Sequence, residues 1–221
     1  MVRFSEGGLA FEADVCKGHK TGHFLDQRDN RARLRKVSTG ARVLDVYACT
    51  GGFSVNAAAG GAKLVHRVDV SSPALAAASR NMALNRSLPQ VRRCREEDTA
   101  GDAMAVMAGL TRSRRRFDIV VVDPPAFASR RAHVPRALRS YGSLTELALQ
   151  LVEPGGLLVQ SSCSTRVGAD EFESAIRGAA ERSGVRLTEV ARTAHGVDHP
   201  VGFAQGAYLK AVFAKVWPLH R

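Results

Sequence analysis

The chain has 221 residues, 45% of them hydrophobic and 24% charged, with 32 Lys and Arg against 21 Asp and Glu for a formal net charge of +11. That composition suits one large domain, or one domain with a small appendage, built on a real core. The basic excess would attract a polyanion and release its counterions on binding, which points to nucleic acid; the alternative is a merely soluble basic protein. No apolar run is long enough to span a bilayer and no apolar core opens the chain, so the expectation is a cytoplasmic protein with reduced thiols. The four cysteines, Cys16, Cys49, Cys94 and Cys163, form no CxxC pair, which argues against a zinc site or a disulfide framework.

The order of elements follows from patterning. Residues 4–15 read FSEGGLAFEADV, two short stretches about a Gly-Gly turn, which predicts a β-hairpin. A basic stretch over 17–36 follows, with LDQRDNRARLRK helical. Residues 42–46 are a short buried strand ending in ACTGG. Residues 53–59 are a helix stopped by Gly60-Gly61, and 64–70 are a second strand with Asp69 near its end. Ser72-Pro73 opens a helix to about Asn85, Pro being suited to the first turn. Residues 91–95 are read as a weak third strand and 103–110 as a helix. FDIVVV over 117–122 is a strong buried strand ending in Asp123-Pro124-Pro125. A helix over 143–152 closes at Pro154-Gly155-Gly156, a strand over 157–161 ends at Ser162-Cys163-Ser164, and a helix covers 169–183. The tail over 186–217 supplies two or three more strands.

Strands alternating with helices predict an α/β, Rossmann-like domain over 37–221 with a mostly parallel sheet and helices on both faces. A hairpin and basic helical segment over 1–36 precede it. Ligands of such sheets sit beyond the C-terminal strand ends. Here those ends carry ACTGG, Asp69, DPP and SCS, more chemistry than a purely structural sheet needs.

Gly51 and Gly52 permit a tight turn and close approach of a ligand to the backbone. The loop is neither GxGxxG nor a P-loop, and a Gly pair alone is equally a plain turn. Asp69 follows about twenty residues on, where a carboxylate can accept both ribose hydroxyls. Its structural alternative is a helix N-terminal charge before Ser71-Ser72-Pro73. Together the two favour a nucleoside, carried by a dinucleotide or by S-adenosylmethionine. The stiff Asp123-Pro124-Pro125-Ala126-Phe127 turn favours the second, because it can present a wall to a planar base edge and a dehydrogenase has no need of one there.

Cys163 lies in Gln160-Ser161-Ser162-Cys163-Ser164-Thr165. Alone it reads as a small buried hydrophobe. Its strand-end place and polar neighbours bring it level with Asp123. A thiolate there suits methylation of carbon: adding to carbon 6 of cytosine makes carbon 5 nucleophilic, and Asp123 can hold the N3/N4 edge. His195 and His199 have i, i+4 spacing, but Gly196 and Pro200 argue against one metal-binding helix face, so no metal is expected.

These stretches resemble the bacterial 23S rRNA 5-methylcytosine methyltransferases of the RlmI type, class I Rossmann-like enzymes. The likeness rests on KTGHFLDQRDNR (20–31), VLDVYACTGGFSV (43–55), VDVSSPAL, FDIVVVDPPAF, LLVQSSCS and DHPV followed by GAYLK, and it spans about 8–212. It implies S-adenosylmethionine as cofactor. Gln27, Arg28, Tyr47, Thr50, Gly51, Gly52, Phe53, Asp69, Val70, Asp123 and Pro124 would border the cofactor. Asp102 would contact adenine, with Asp98 as its competitor because EEDTAGD reads as a long loop. Cys163 would be the nucleophile and Asp123 its companion. Such enzymes carry an N-terminal PUA domain and a fuller hairpin domain, and this chain starts inside the hairpin. Ala126 also stands where a Lys often follows DPP. RNA docking would then fall to the basic segments 28–36, 112–116 and 130–139, of which 112–116 is equally a solvated loop. Tyr47, Phe127 and Tyr141 are candidates to stack on a base or to pack the core. A homodimer is a further expectation of the resemblance. The rival readings are a guanine or adenine N-methyltransferase on the same scaffold and a non-catalytic RNA-binding relative.

Overall fold

The computed structural model describes residues 1–16, 22–203 and 206–219. Lys20 and Thr21 of the KTGHFLDQRDNR stretch, and the start of the basic segment at Lys17, lie outside the described residues. The chain forms two compact units, Met1–Val106 and Met107–Arg221.

The first unit opens with the expected hairpin. Strands β1 (Val2–Glu6) and β2 (Leu9–Ala13) pair antiparallel, with Phe4 opposite Phe11 and Glu6 opposite Leu9. Gly7 and Gly8 take φ of 56° and 78°, the left-handed pair that a two-residue hairpin turn of matching twist requires. A lone hairpin would leave β2 with an open edge. Two asparagines of helix α3 (Ser72–Leu84) and its cap close it: Glu12 N donates to Asn81 Oδ1 at 2.8 Å and Ala10 N to Asn85 Oδ1 at 2.9 Å, while Asn85 Nδ2 returns a bond to Ala10 O at 2.7 Å. From the other side, Arg31 of helix α1 (Arg28–Lys36) grips Glu6 through Nε at 2.7 Å and through Nη2, and His23 faces the same carboxylate at 3.4 Å. All three side chains are buried. Burial drives the Glu6 carboxyl upward, but the bonds from His23 and Arg31 outweigh it and hold it at about 2.

Strands β3 (Arg42–Val46), β4 (Leu64–Asp69) and β5 (Arg95–Ala100) run parallel in the order β5-β4-β3. Helix α2 (Gly52–Ala59) follows β3, where buried Asp45 Oδ2 accepts the Ser54 N–H at 3.1 Å and its hydroxyl at 2.6 Å. One sequence expectation is corrected here. Residues 89–93 form a short helix, α4 (Pro89–Arg93), and the third strand is β5. Pro89 fits a first helical turn. The acids of the EEDT stretch mask the alternation of an edge strand; Glu96 and Asp98 bind buried Arg67 on β4, while Glu97 pairs with His66 and Arg95.

In the second unit, β6 (Phe117–Val122) and β7 (Val152–Ser162) pair parallel, β9 (Lys210–Pro218) is antiparallel to β7, and β8 (Val185–Thr193) completes the order β6-β7-β9-β8. Helix α5 (Ala103–Arg112) leads into the unit. Helix α6 is Val134–Leu149, longer and earlier than the helix read over 143–152. Pro154-Gly155-Gly156 lies inside β7 rather than closing a helix, at the point where the β6–β7 register shifts. Helix α7 (Ala169–Arg182) packs with α6 around Tyr141, Phe172, Ile176 and Val212. The α/β class, the mostly parallel strands and the preceding hairpin are as the sequence led one to expect.

Candidate functional site

In the first unit the candidate residues gather where β3 and β4 end. The loop after β3 is conformationally costly: Tyr47, Cys49 and Gly51 have φ of 64°, 48° and 78°. Two non-glycine residues in the left-handed region within three positions is a concentration of strain typical of ligand loops. Neighbouring backbone bonds hold it, with Tyr47 N and Ala48 N both donating to Val68 O at 2.9 and 3.1 Å and Gly51 N donating to Ala48 O at 2.8 Å. A Cβ on Gly51 would stand 2.7 Å from the Ala78 methyl of α3, so the close approach of loop and helix needs a glycine. Thr50 is fastened by Asn81 Nδ2 to its carbonyl at 3.0 Å and by its own hydroxyl to Gly22 O at 3.3 Å.

Asp69 ends β4 and reaches back to this loop. Its Oδ2 accepts Cys49 N and its Oδ1 accepts Ser71 N, both at 2.9 Å. Burial, with the charges of Asp102 and Asp69, pushes the Tyr47 phenol up to about 12, which places both carboxylates near that ring. Burial and then Asp69 raise the Cys49 thiol, so it is a poor thiolate. Asp102 caps α5, its Oδ1 accepting Ala105 N at 2.9 Å. Asp98 is held elsewhere: Arg67 Nε and Nη2 bind its two oxygens at 2.6 and 3.1 Å. Gln27 is buried and accepts Asn30 Nδ2 at 2.6 Å, Arg28 pairs with exposed Asp29, Phe53 is buried on α2, and Val70 is 78% exposed.

In the second unit, parallel neighbours β6 and β7 end side by side, Val122 in register with Gln160. Asp123 and Cys163 therefore leave the same edge. Ser161 donates its hydroxyl to Asp123 Oδ1, and Cys163 Sγ lies 3.9 Å from the Pro124 carbonyl. The flanking serines are fixed by Tyr141, whose hydroxyl bonds Ser162 Oγ at 2.8 Å and Ser164 Oγ at 2.9 Å. Ser164 Oγ also accepts Phe127 N at 3.0 Å, joining the DPPAF and SCS loops. Tyr141 is wholly buried, between Phe127 and Phe172, so it packs the core and cannot stack on a base. Phe127 packs against it at 5.0 Å between centroids. Lys210, which sequence reasoning passed over inside GAYLK, is buried and donates to Ser164 O, Val167 O and Tyr208 O at 2.8, 2.7 and 3.0 Å. No spacing signals that role, because Lys210 faces Ser162 only across an antiparallel ladder.

Of the basic segments, α1 spends Arg31 on Glu6 and Arg35 on Gly7 O. Arg130, Arg131, Arg136 and Arg139 are exposed, and none has a carboxylate partner among the described residues. Arg115 lies over Phe117 at 5.5 Å. His195 and His199 stack on each other at 4.5 Å beside Tyr208. Among the described residues no helix is long and apolar enough to cross a membrane.

Comparison with known proteins gives the site a context. Residues 2–211 match the family model described as S-adenosylmethionine-dependent methyltransferase. The chain is 44% identical over 97% of its length to a ribosomal RNA large subunit methyltransferase of Deinococcus radiodurans, and 38% identical over 96% to ribosomal RNA large subunit methyltransferase I of Shewanella amazonensis. It spans about half of each relative, 52% and 53%. The structure of SMU.776 complexed with SAH superposes over 96% of this chain and 56% of its own with a TM-score of 0.83 at 24% identity, a likeness of fold.

Proposed function

The chain belongs to the S-adenosylmethionine-dependent methyltransferase family, and from that premise we propose that it methylates carbon 5 of cytosine in large-subunit ribosomal RNA with Cys163 as nucleophile. The relatives named for that RNA support the substrate class, and the exposed arginines at 130, 131, 136 and 139 supply an RNA-facing charge.

The first unit suits the cofactor. Its strained Tyr47–Gly51 loop presents backbone at close range, Asp69 offers a carboxylate to ribose hydroxyls, and Asp102, near the same phenol, offers one to the adenine amine. Asp102 takes that role over Asp98 because Asp98 is engaged by buried Arg67. Thr50, Gly52 and Phe53 continue the loop, with Gln27, Arg28 and Val70 as further bordering residues. When bound, S-adenosylmethionine supplies an electrophilic methyl group.

The second unit suits the target. Cys163 would form a bond to cytosine carbon 6, which moves electron density to carbon 5. Asp123, held by Ser161, would accept a hydrogen bond from the amino edge of the base and oppose its rotation. Once carbon 5 carries the methyl group, a base would take the carbon-5 proton, and the electron pair left behind would restore the 5,6 double bond and expel the Cys163 thiolate. One observation carries this reading: Cys163 stands at the end of β7 beside Asp123 and Pro124, its two neighbours pinned by buried groups.

The test is Cys163→Ala, assayed on ribosomal RNA by mass analysis of the nucleosides, with cofactor binding followed by calorimetry. The expected result is cofactor binding as in the parent and no 5-methylcytidine. Methylation retained by the variant, on a ring nitrogen or an exocyclic amine, would overturn the carbon-5 assignment.

A further inference from the structure

We infer that Lys210 is a positioning residue for the nucleophile, whose buried ammonium both fixes the Cys163 turn and stabilises the Cys163 thiolate. This rests on the proposed nucleophilic role of Cys163.

The geometry comes first. Lys210 begins β9 opposite Ser162, the residue before Cys163. Its side chain is buried, and its three N–H groups are used on three main-chain carbonyls. One acceptor is Ser164 O, the carbonyl just after the cysteine; another is Val167 O, further along the same turn. The ammonium therefore clasps the segment from one end to the other. An arrangement of three carbonyls solvates the cation but leaves its charge unneutralised.

That charge is the second point. Among the described residues no carboxylate lies within ion-pair distance of Lys210. Burial lowers the lysine to about 8, and the two groups acting against that are Cys163 and Glu171 of α7. Glu171 already accepts Gly168 N at 2.8 Å. Two other ionisable groups flank Cys163: the Tyr141 phenol of α6, which burial raises and which stays neutral at pH 7, and the Asp123 carboxylate at the end of β6, which accepts the Ser161 hydroxyl and whose charge opposes a thiolate. Lys210 is thus the buried cation set next to the Cys163 turn, and its charge favours a thiolate there against the opposing Asp123 carboxylate. A lysine serving only as a clasp would be equally served by a neutral donor.

Lys210→Gln keeps an amide donor and removes the charge. The experiment measures iodoacetamide alkylation at Cys163 and at exposed Cys16 by peptide mass spectrometry across pH 6 to 10, in the parent and the variant. With the charge gone, the Cys163 profile should move up by about one pH unit, an alkylation roughly tenfold slower at pH 7, while Cys16 stays put. A Cys163 profile that does not move overturns the inference. If Lys210→Gln does not fold, the parent decides: Cys163 must alkylate with a lower midpoint than Cys16, and a midpoint equal or higher overturns it. Methylation retained by Cys163→Ala speaks against the carbon-5 reading, whereas an unmoved alkylation profile removes Lys210 alone.

Discussion

Arg67 and Asp98 are register partners on adjacent parallel strands, and the guanidinium holds both carboxylate oxygens, at 2.6 and 3.1 Å. Glu96 takes a second place on the same Arg67 at 2.9 Å. Arg67 is 1% exposed, so this pairing neutralises a charge that could not otherwise lie inside the sheet. It also engages Asp98 fully, which on the proposed reading leaves Asp102 for the adenine. Asp98→Ala should lower unfolding free energy by about 1–3 kcal/mol, Glu96 retaining part of the compensation, with little change in cofactor affinity. Asp102→Ala should do the reverse, weakening S-adenosylmethionine about tenfold or more through a lost charge-assisted bond. Urea unfolding and calorimetry on both variants check the crossed pattern; the same affinity loss in both would break it.

Gly51→Ala should be poorly tolerated. Its φ is +78° and a Cβ would meet the Ala78 methyl at 2.7 Å. Left-handed strain and overpacking together should destabilise by about 2–4 kcal/mol. A melting temperature within a degree of the parent would contradict that account.

Acid should loosen the hairpin before the rest of the first unit. Glu6 is held at about 2 against an ordinary 4.5, so the folded state binds its proton less readily than the unfolded chain. Its contribution is complete above about pH 4.5 and is lost as pH falls toward 2. His23, lowered by burial from 6.5, acts in the same direction from that pH downward. Glu6→Gln leaves buried Arg31 without its carboxylate and should remove about 3–5 kcal/mol at pH 7. The variant's stability should then change less than the parent's between pH 5 and 3, as read from denaturant midpoints.

Replacing Arg130, Arg131, Arg136 and Arg139 together by Gln should weaken RNA binding without lowering the melting temperature, since none holds a carboxylate. Each lost phosphate contact should reduce the slope of log affinity against log salt by about one. An unchanged slope would place the RNA on another face.

Tyr141→Phe removes a hydroxyl that serves Ser162 and Ser164 at 2.8 and 2.9 Å. Two buried serine hydroxyls lose a partner, at about 1–3 kcal/mol. Methyl transfer should fall with S-adenosylmethionine affinity unchanged, because the loosened segment is the one bearing Cys163. Single-turnover kinetics beside calorimetry separate the two.

The elements that were readable were those whose own residues state their periodicity. FDIVVV is apolar at every position but Asp118 and forms β6 within its predicted bounds, and Gly7-Gly8 between alternating runs forms the hairpin turn. The third strand was misplaced because REEDTA carries acids where a strand face is normally apolar, and only the neighbouring strand explains them. The helix over 134–149 was cut short because its arginines hid the buried face formed by Val134, Ala137 and Tyr141. In the site, glycines and acids at strand ends were legible by position. The order of merit between Asp98 and Asp102, the burial of Tyr141 and the clasp of Lys210 were not, since each depends on a partner more than twenty residues away.

By itself the sequence determined the α/β class, the strand ends that bear chemistry, the basic charge and the family likeness, because these are fixed by local pattern and by residue type. The tertiary structure decided which of those residues remain available. Arg67 withdrew Asp98, the Phe127–Phe172 core withdrew Tyr141, and β9 brought Lys210 to the turn that carries Cys163. The physical reason is desolvation: once buried, a charge or hydroxyl must find its partner wherever the fold supplies one, and sequence distance has no part in that choice.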